Sequence, residues 1–151
     1  MELKIEHLPT CRIAYIRRIG PYGPRNREAM ESLKNWVKDN RLLTDESVIL
    51  GIAQDDPTVT KPEQCRYDAC LVIADDTRIS DDAVSLGSIV GGRHAVFAID
   101  HTAEAMGRAW NDIFPELQRQ GLQADNTRPV IERYAARMIR AHLCELCVPV
   151  Y

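Results

Sequence analysis

The sequence predicts an α+β fold: a duplicated strand-helix-strand-strand pseudo-dimer, its strands joining one curved antiparallel sheet, with two main helices on one face and a ligand groove between the repeats. Three observations lead there. Short apolar or alternating segments of strand length recur along the chain, and only two long stretches have helical periodicity. The order of these segments repeats, over about residues 1–75 and again over about 84–151, within a single domain spanning 1–151. The halves also overlay: "RIAYIRRI" falls on "RHAVFAID", Trp36 and Trp110 fall on the two helices, and "YDACLVI" falls on "CELCVPV", which sets Asp68 over Glu145.

Taken in order, "ELKIEHL" and "CRIAYIRRI" alternate or run apolar with β-branched residues and are separated by Pro9-Thr10, so they read as two strands. The turn "GPYGP" ends them. From Arg25 to Asn40 the apolar residues Ala29, Met30, Leu33, Trp36 and Val37 fall at three- and four-residue steps, with charges on the other side, and this is an amphipathic helix. "SVILGIA" and "RYDACLVIA" follow as strands, joined by the Pro- and Asp-rich "QDDPTVTKPEQC", and "DDTRISDDA" is an acidic, solvated connector. The second half has "VSLGSIV" and "RHAVFAI" as strands around Gly91-Gly92. Its helix covers "TAEAMGRAWNDIFPELQRQ", with Thr102 as N-cap, Glu104 in the first turn where the helix dipole favours it, and Gly121 as the stop. "PVIERYAA" and "HLCELCVPV" are its closing strands.

Composition limits what such a fold does. With 151 residues, 45% hydrophobic and 27% charged, the chain has enough apolar material for a real core. A net charge of -3 provides no basic face, so no direct contact with nucleic acid is expected. "MELKIEHLPT" lacks the apolar core of a signal peptide and no stretch approaches the roughly 20 apolar residues of a membrane span, so a cytoplasmic protein without a membrane partner is expected. The five cysteines are an odd number and read as reduced, buried small hydrophobes. Two of them form a C-x-x-C in "HLCELCVPVY". Residues three apart on a strand point to opposite faces, so Cys144 and Cys147 are expected neither to share a metal nor to act as a redox pair. His142 shares a face with Cys144, but two ligands fall short of zinc's three or four. Neither a metal site nor a cofactor is expected.

Glu145 is the unusual residue in that strand, because an ionised carboxylate taken from water costs several kcal/mol unless something compensates it. Three compensations are open. Arg133 on the neighbouring strand pairs with it, or backbone amides or water do; a cationic guest supplies the charge, with nearby aromatics adding stacking and cation-π attraction; or desolvation raises its pKa and makes it a general acid or base. The ligand-binding reading leads. Strand register discriminates: Tyr134 beside Glu145 on the groove face leaves the carboxylate free for a guest, whereas Arg133 there does not.

"RIAYIRRIGPYG", Trp36, "RYDACLVI", "GGRHAVFAI", "AWNDIFPEL", "PVIERY" and "CELCVPV", taken as an ordered series over nearly the whole chain, resemble the GyrI-like domain, which is also the effector-binding domain of AraC-type and BmrR-type transcription regulators. The resemblance implies a pocket between the halves for a small molecule, cationic and often aromatic or lipophilic, faced by an acidic residue on the last strand. Glu145 matches that residue. Trp110 and Phe114 match the aromatic helix stretch beside the pocket, Tyr134 matches the tyrosine of the "ERY" strand, and Trp36 is the counterpart of Trp110. Each of these aromatics also has a core reading. Asp68, the repeat partner of Glu145, either faces the same cavity or satisfies a loop. The first strand begins at about Glu2, leaving no helix-turn-helix segment, so a stand-alone effector sensor or sequestering protein is expected. The resemblance also implies two alternatives: a hydrolase of strained electrophilic toxins using Glu145, and a gyrase-inhibiting protein-binding module.

Overall fold

The computed structural model describes residues 2–151. Eight strands form one antiparallel sheet: β1 (Leu3–Leu8), β2 (Cys11–Ile19), β3 (Val48–Ala53), β4 (Arg66–Ile73), β5 (Ser85–Ile89), β6 (Gly92–Asp100), β7 (Ile131–Ala135) and β8 (Leu143–Pro149). Helices α1 (Asn26–Asp39) and α2 (Ala103–Arg119) pack on one face, as the α+β reading predicts. A short helix, α3 (Ala136–Ile139), stands where the sequence reading carried a strand through Ala136. "AARMI" consists mostly of strong helix formers, and the Ala136 amide leaves the ladder to donate to the Ser47 carbonyl.

The strand order is β1-β6-β8-β7-β3-β4-β2-β5. The two central strands, β3 and β7, come one from each half and pair with Gly51 opposite Glu132. Each half gives its first strand away. β1 pairs with β6, placing Leu3 beside Phe97, and β5 returns to β2, placing Ile89 beside Cys11. The two connections meet where the Gly91 amide donates to Thr10 Oγ1.

Alternation sorts the strand residues between two faces. Toward the helices lie two apolar clusters: α1 residues Leu33, Trp36 and Val37 over Ala69 and Leu71, and α2 residues Ala109, Ile113 and Leu117 over Phe97, Leu146 and Val148. Tyr134 packs against both. The face turned away from the helices carries a third cluster, including Ile52, Cys70, Val96, Ile131 and Cys147. Leu8 and Ile89 join it although their strands lie at opposite edges of the sheet, so the sheet is rolled into a half-barrel and its own curvature buries this cluster.

Both helices end in the same hydrogen-bonded motif. After α2, the Gly121 amide donates to Gln118 and the Leu122 amide to Leu117, with Gly121 at φ +75°; Thr102 caps the other end by accepting from the Ala105 amide, as the sequence predicts. After α1, Arg41 donates to Lys38 and Leu42 to Val37, but the left-handed residue is Arg41 itself, at φ +54°. A Cβ in that conformation costs roughly 1–2 kcal/mol. Arg41→Gly therefore raises stability by about 1 kcal/mol in urea denaturation. A midpoint at or below that of wild type would contradict this account of the turn.

Candidate functional site

Between the two helix-face clusters lies an open groove of about 1020 Å³. Its floor comes from the central strands. Ile49 of β3, Tyr67 of β4 and Glu132 and Tyr134 of β7 point up into it. Gly51 makes room at the centre: a Cβ there would collide with the Tyr67 hydroxyl and lie 2.6 Å from Glu132 Oε1. In that space Tyr67 donates to Glu132 Oε1 at 2.9 Å and Tyr134 donates to Oε2 at 3.1 Å.

Glu132 is half-buried, and its exposed part is what lines the groove. Burial pushes its carboxyl above the ordinary value of 4.5, while the two tyrosine hydrogen bonds work in the opposite direction. Among the described residues it makes no ion pair. Both tyrosines are pushed up by burial and then by the carboxylate, so they stay protonated and serve as donors. His101, at the entrance to α2, packs its ring 5.4 Å from that of Tyr134 at 50°. Burial first, and then the positive charge of Lys34, hold His101 below its ordinary 6.5 and hence neutral at pH 7. Met106 and Trp110 form the α2 wall.

Of the residues singled out in the sequence, Trp110 and Tyr134 line the groove. Glu145 does not. It directly opposes Arg133 across β7 and β8, on the face away from the helices, and accepts from Arg133 Nε at 2.8 Å. The same guanidinium binds Glu6 through both terminal nitrogens, at 2.9 and 3.2 Å. This corrects the expectation that Glu145 lies in the groove between the repeats: the arginine compensates it, and it borders a separate, smaller cavity with Glu6 and Arg133. Asp68 is corrected in the same way. It lies on that same face, 1% exposed, gripped by Arg17 at 2.7 and 2.9 Å and by Gln54 at 3.0 Å.

Trp36 and Phe114 also lie outside the groove lining. Trp36 is buried under α1 and donates to Asp81 at 2.9 Å, and Phe114 is 41% exposed beyond the groove. For Trp36 the reason is helix phase. Laying the buried stripe Ala29, Leu33, Val37 on Ala105, Ala109, Ile113 sets Trp110 over Lys34 rather than over Trp36. Cys144 packs under α2 and Cys147 belongs to the opposite face, as strand alternation predicts. Among the described residues no three His, Cys, Asp or Glu side chains converge on a possible ion, and no helix is long and apolar enough to cross a membrane.

Sequence reasoning missed the groove residues Tyr67, His101, Met106 and Glu132, although a signal for Glu132 was present. Once Tyr134 is assigned to the groove, the period of two on a strand brings Glu132 with it and sends Arg133 to the far face. The arrangement offers an acceptor with unmet charge, aromatic faces beside it, and a carboxyl whose proton affinity is raised.

The profile of a family described as the GyrI-like small molecule binding domain matches residues 1–151. Among curated relatives, the SPbeta prophage protein YosT of Bacillus subtilis (strain 168), named as a candidate transcriptional regulator, is 46% identical over 99% of both chains. DNA gyrase inhibitor 2 of Dickeya dadantii (strain 3937) is 28% identical over 80% of this chain and 77% of its own. Among solved structures, EcmrR in a complex with DNA superposes with a TM-score of 0.73 at 13% identity, over 99% of this chain but only 57% of the EcmrR chain. SAV2435 bound to tetraphenylphosphonium gives 0.61 at 12% identity, over 100% of this chain and 94% of that one.

The groove geometry gives one structural prediction. Gly51→Ala forces Tyr67 and Glu132 apart and lowers stability by about 1–3 kcal/mol, the cost of an overpacked site. Urea denaturation reads it; a stability equal to wild type would mean that the two side chains yield freely.

Proposed function

The chain belongs to the GyrI-like small molecule binding domain family, and from that premise we propose that its guest is a small organic cation held in the groove with Glu132 as counter-charge. One observation carries the reading: Glu132 is the groove carboxylate that has hydrogen-bond donors but no cation, whereas Glu145 and Asp68 have arginines. Two neutral donors stabilise a carboxylate only in part, and a guest's positive charge supplies the remainder. Trp110 and Tyr134 add apolar area and cation-π attraction to such a guest. The tetraphenylphosphonium bound by SAV2435, a protein of like fold, is a guest of this chemical kind. Binding without chemistry suits a sensor or a sequestering protein.

A second reading uses the same carboxyl. A glutamate with raised proton affinity, set in a solvent-accessible cavity, also meets the demand on a general base that activates water against an electrophilic guest. Catalytic turnover of a strained cyclopropane or lactone, abolished in Glu132→Gln, would establish that reading over simple capture.

Calorimetric titration with tetraphenylphosphonium tests the main proposal. Glu132→Gln weakens binding by about 1–3 kcal/mol, the range for a charged partner. Glu145→Gln leaves affinity unchanged and lowers stability instead, since it loosens the grip on Arg133. The pH dependence follows from the sign of the shift. The probe's charge is fixed, so affinity falls as pH drops through the raised Glu132 pKa; His101, which also lines the groove, gains its proton below 6.5 and repels the probe in both proteins, so Glu132→Gln shows the shallower fall. Equal affinity of wild type and Glu132→Gln at pH 7 would remove Glu132 from the site.

A further inference from the structure

The duplication gives the groove two equivalent walls, but their chemistry is opposite. Registering the buried stripes of the helices on one another matches the α1 positions Arg27, Glu31 and Lys34 to Ala103, Gly107 and Trp110 of α2. Wherever α1 presents a charge in this set, α2 presents an uncharged side chain. Lys38 extends the α1 row along the groove, matched by Phe114 beyond the α2 wall. Arg27 to Lys38 spans eleven residues of helix, roughly 16 Å at the helical rise. The α1 rim thus carries three cations and one carboxylate, and among the described residues none of the four makes an ion pair. Lys34 on α1 and His101 at the start of α2 both line the groove.

Floor and rim therefore make opposite demands. Glu132 calls for positive charge below, while Arg27, Lys34 and Lys38 call for negative charge above, and the α2 wall calls for an apolar surface along one side. From this we infer that the preferred guest is a zwitterionic amphiphile: its cationic centre sits on Glu132, its apolar face lies against Met106 and Trp110, and its anionic group reaches the lysine row of α1. The inference rests on the groove and Glu132 forming the binding site. It adds that a guest bearing only positive charge is the weaker of two otherwise matched ligands, because the rim repels it and leaves the row of cations unpaired.

Rhodamine B and its ethyl ester form such a matched pair: both carry the xanthylium cation, and only the first has a free carboxylate at neutral pH. Fluorescence anisotropy titrations at low salt should show wild type binding rhodamine B about three- to tenfold more tightly than the ester, the scale of one or two exposed ion pairs. The preference shrinks as salt is added. In the double variant Lys34→Gln, Lys38→Gln the ratio falls to about one, chiefly through weaker binding of rhodamine B. Equal or tighter binding of the ester by wild type overturns the inference, as does a double variant that keeps the wild-type ratio, and both leave the cation-binding floor intact. If neither dye binds, or if Glu132→Gln alters the affinity of neither, the groove reading itself fails and this inference goes with it.

Discussion

A carboxylate at the centre of the sheet, held by two phenol hydroxyls and no cation, is the constraint around which the helix face is arranged. Glu132 occupies the space that Gly51 leaves empty on the facing strand, and Tyr67 of β4 and Tyr134 of its own strand donate to its two oxygens. Tyr134 also bridges the apolar clusters beneath the two helices, so the group that steadies the carboxylate is part of what spaces α1 from α2. The width of the groove and the charge at its floor are set by the same side chains.

The two faces of the sheet solve the problem of buried charge in different ways. On the rolled inner face Asp68 and Glu145 occupy equivalent places in the duplicated halves, and each is gripped by an arginine, but from different strands: Arg17 of β2 in one half and Arg133 of β7 in the other. These charges are balanced within the protein. Arg133 further ties Glu6 of the N-terminal strand to the centre of the sheet, and it holds the Glu6 carboxyl below its ordinary range. On the helix face the balance is left incomplete, because Glu132 has two neutral donors and, among the described residues, no ion pair.

Much of this was legible in the sequence, because it rests on local periodicity. The order of elements, the capping of α2 by Thr102, its stop at Gly121 and the opposite facing of Cys144 and Cys147 all follow from spacing and backbone conformation. The site was legible only in part. In "LCELCVPV" both faces are apolar, so alternation alone does not tell which face meets the helices, and Glu145 went to the wrong one. Trp36 was misplaced by aligning the helices on their tryptophans rather than on their buried stripes, and Phe114, taken from the family resemblance, lies just beyond the groove lining. Asp68 followed Glu145 through the repeat. Trp110 and Tyr134 were placed in the groove, and Tyr134 carries Glu132 with it by the period of two.

The exchange of first strands between the halves has a consequence for how the chain assembles. Neither half contains its own complete share of the sheet: β1 finds its partner only on β6, and β2 is flanked on its outer side by β5 from the far side of the connector. As the chain leaves the ribosome, Leu3 waits for Phe97, and the edge of β2 stays open until Ile89 arrives. Such long loops must close before their contacts give anything back, so the halves are obliged to fold together rather than in turn. The duplication thus behaves as one cooperative unit, and the groove at its seam comes into being only when both halves are complete.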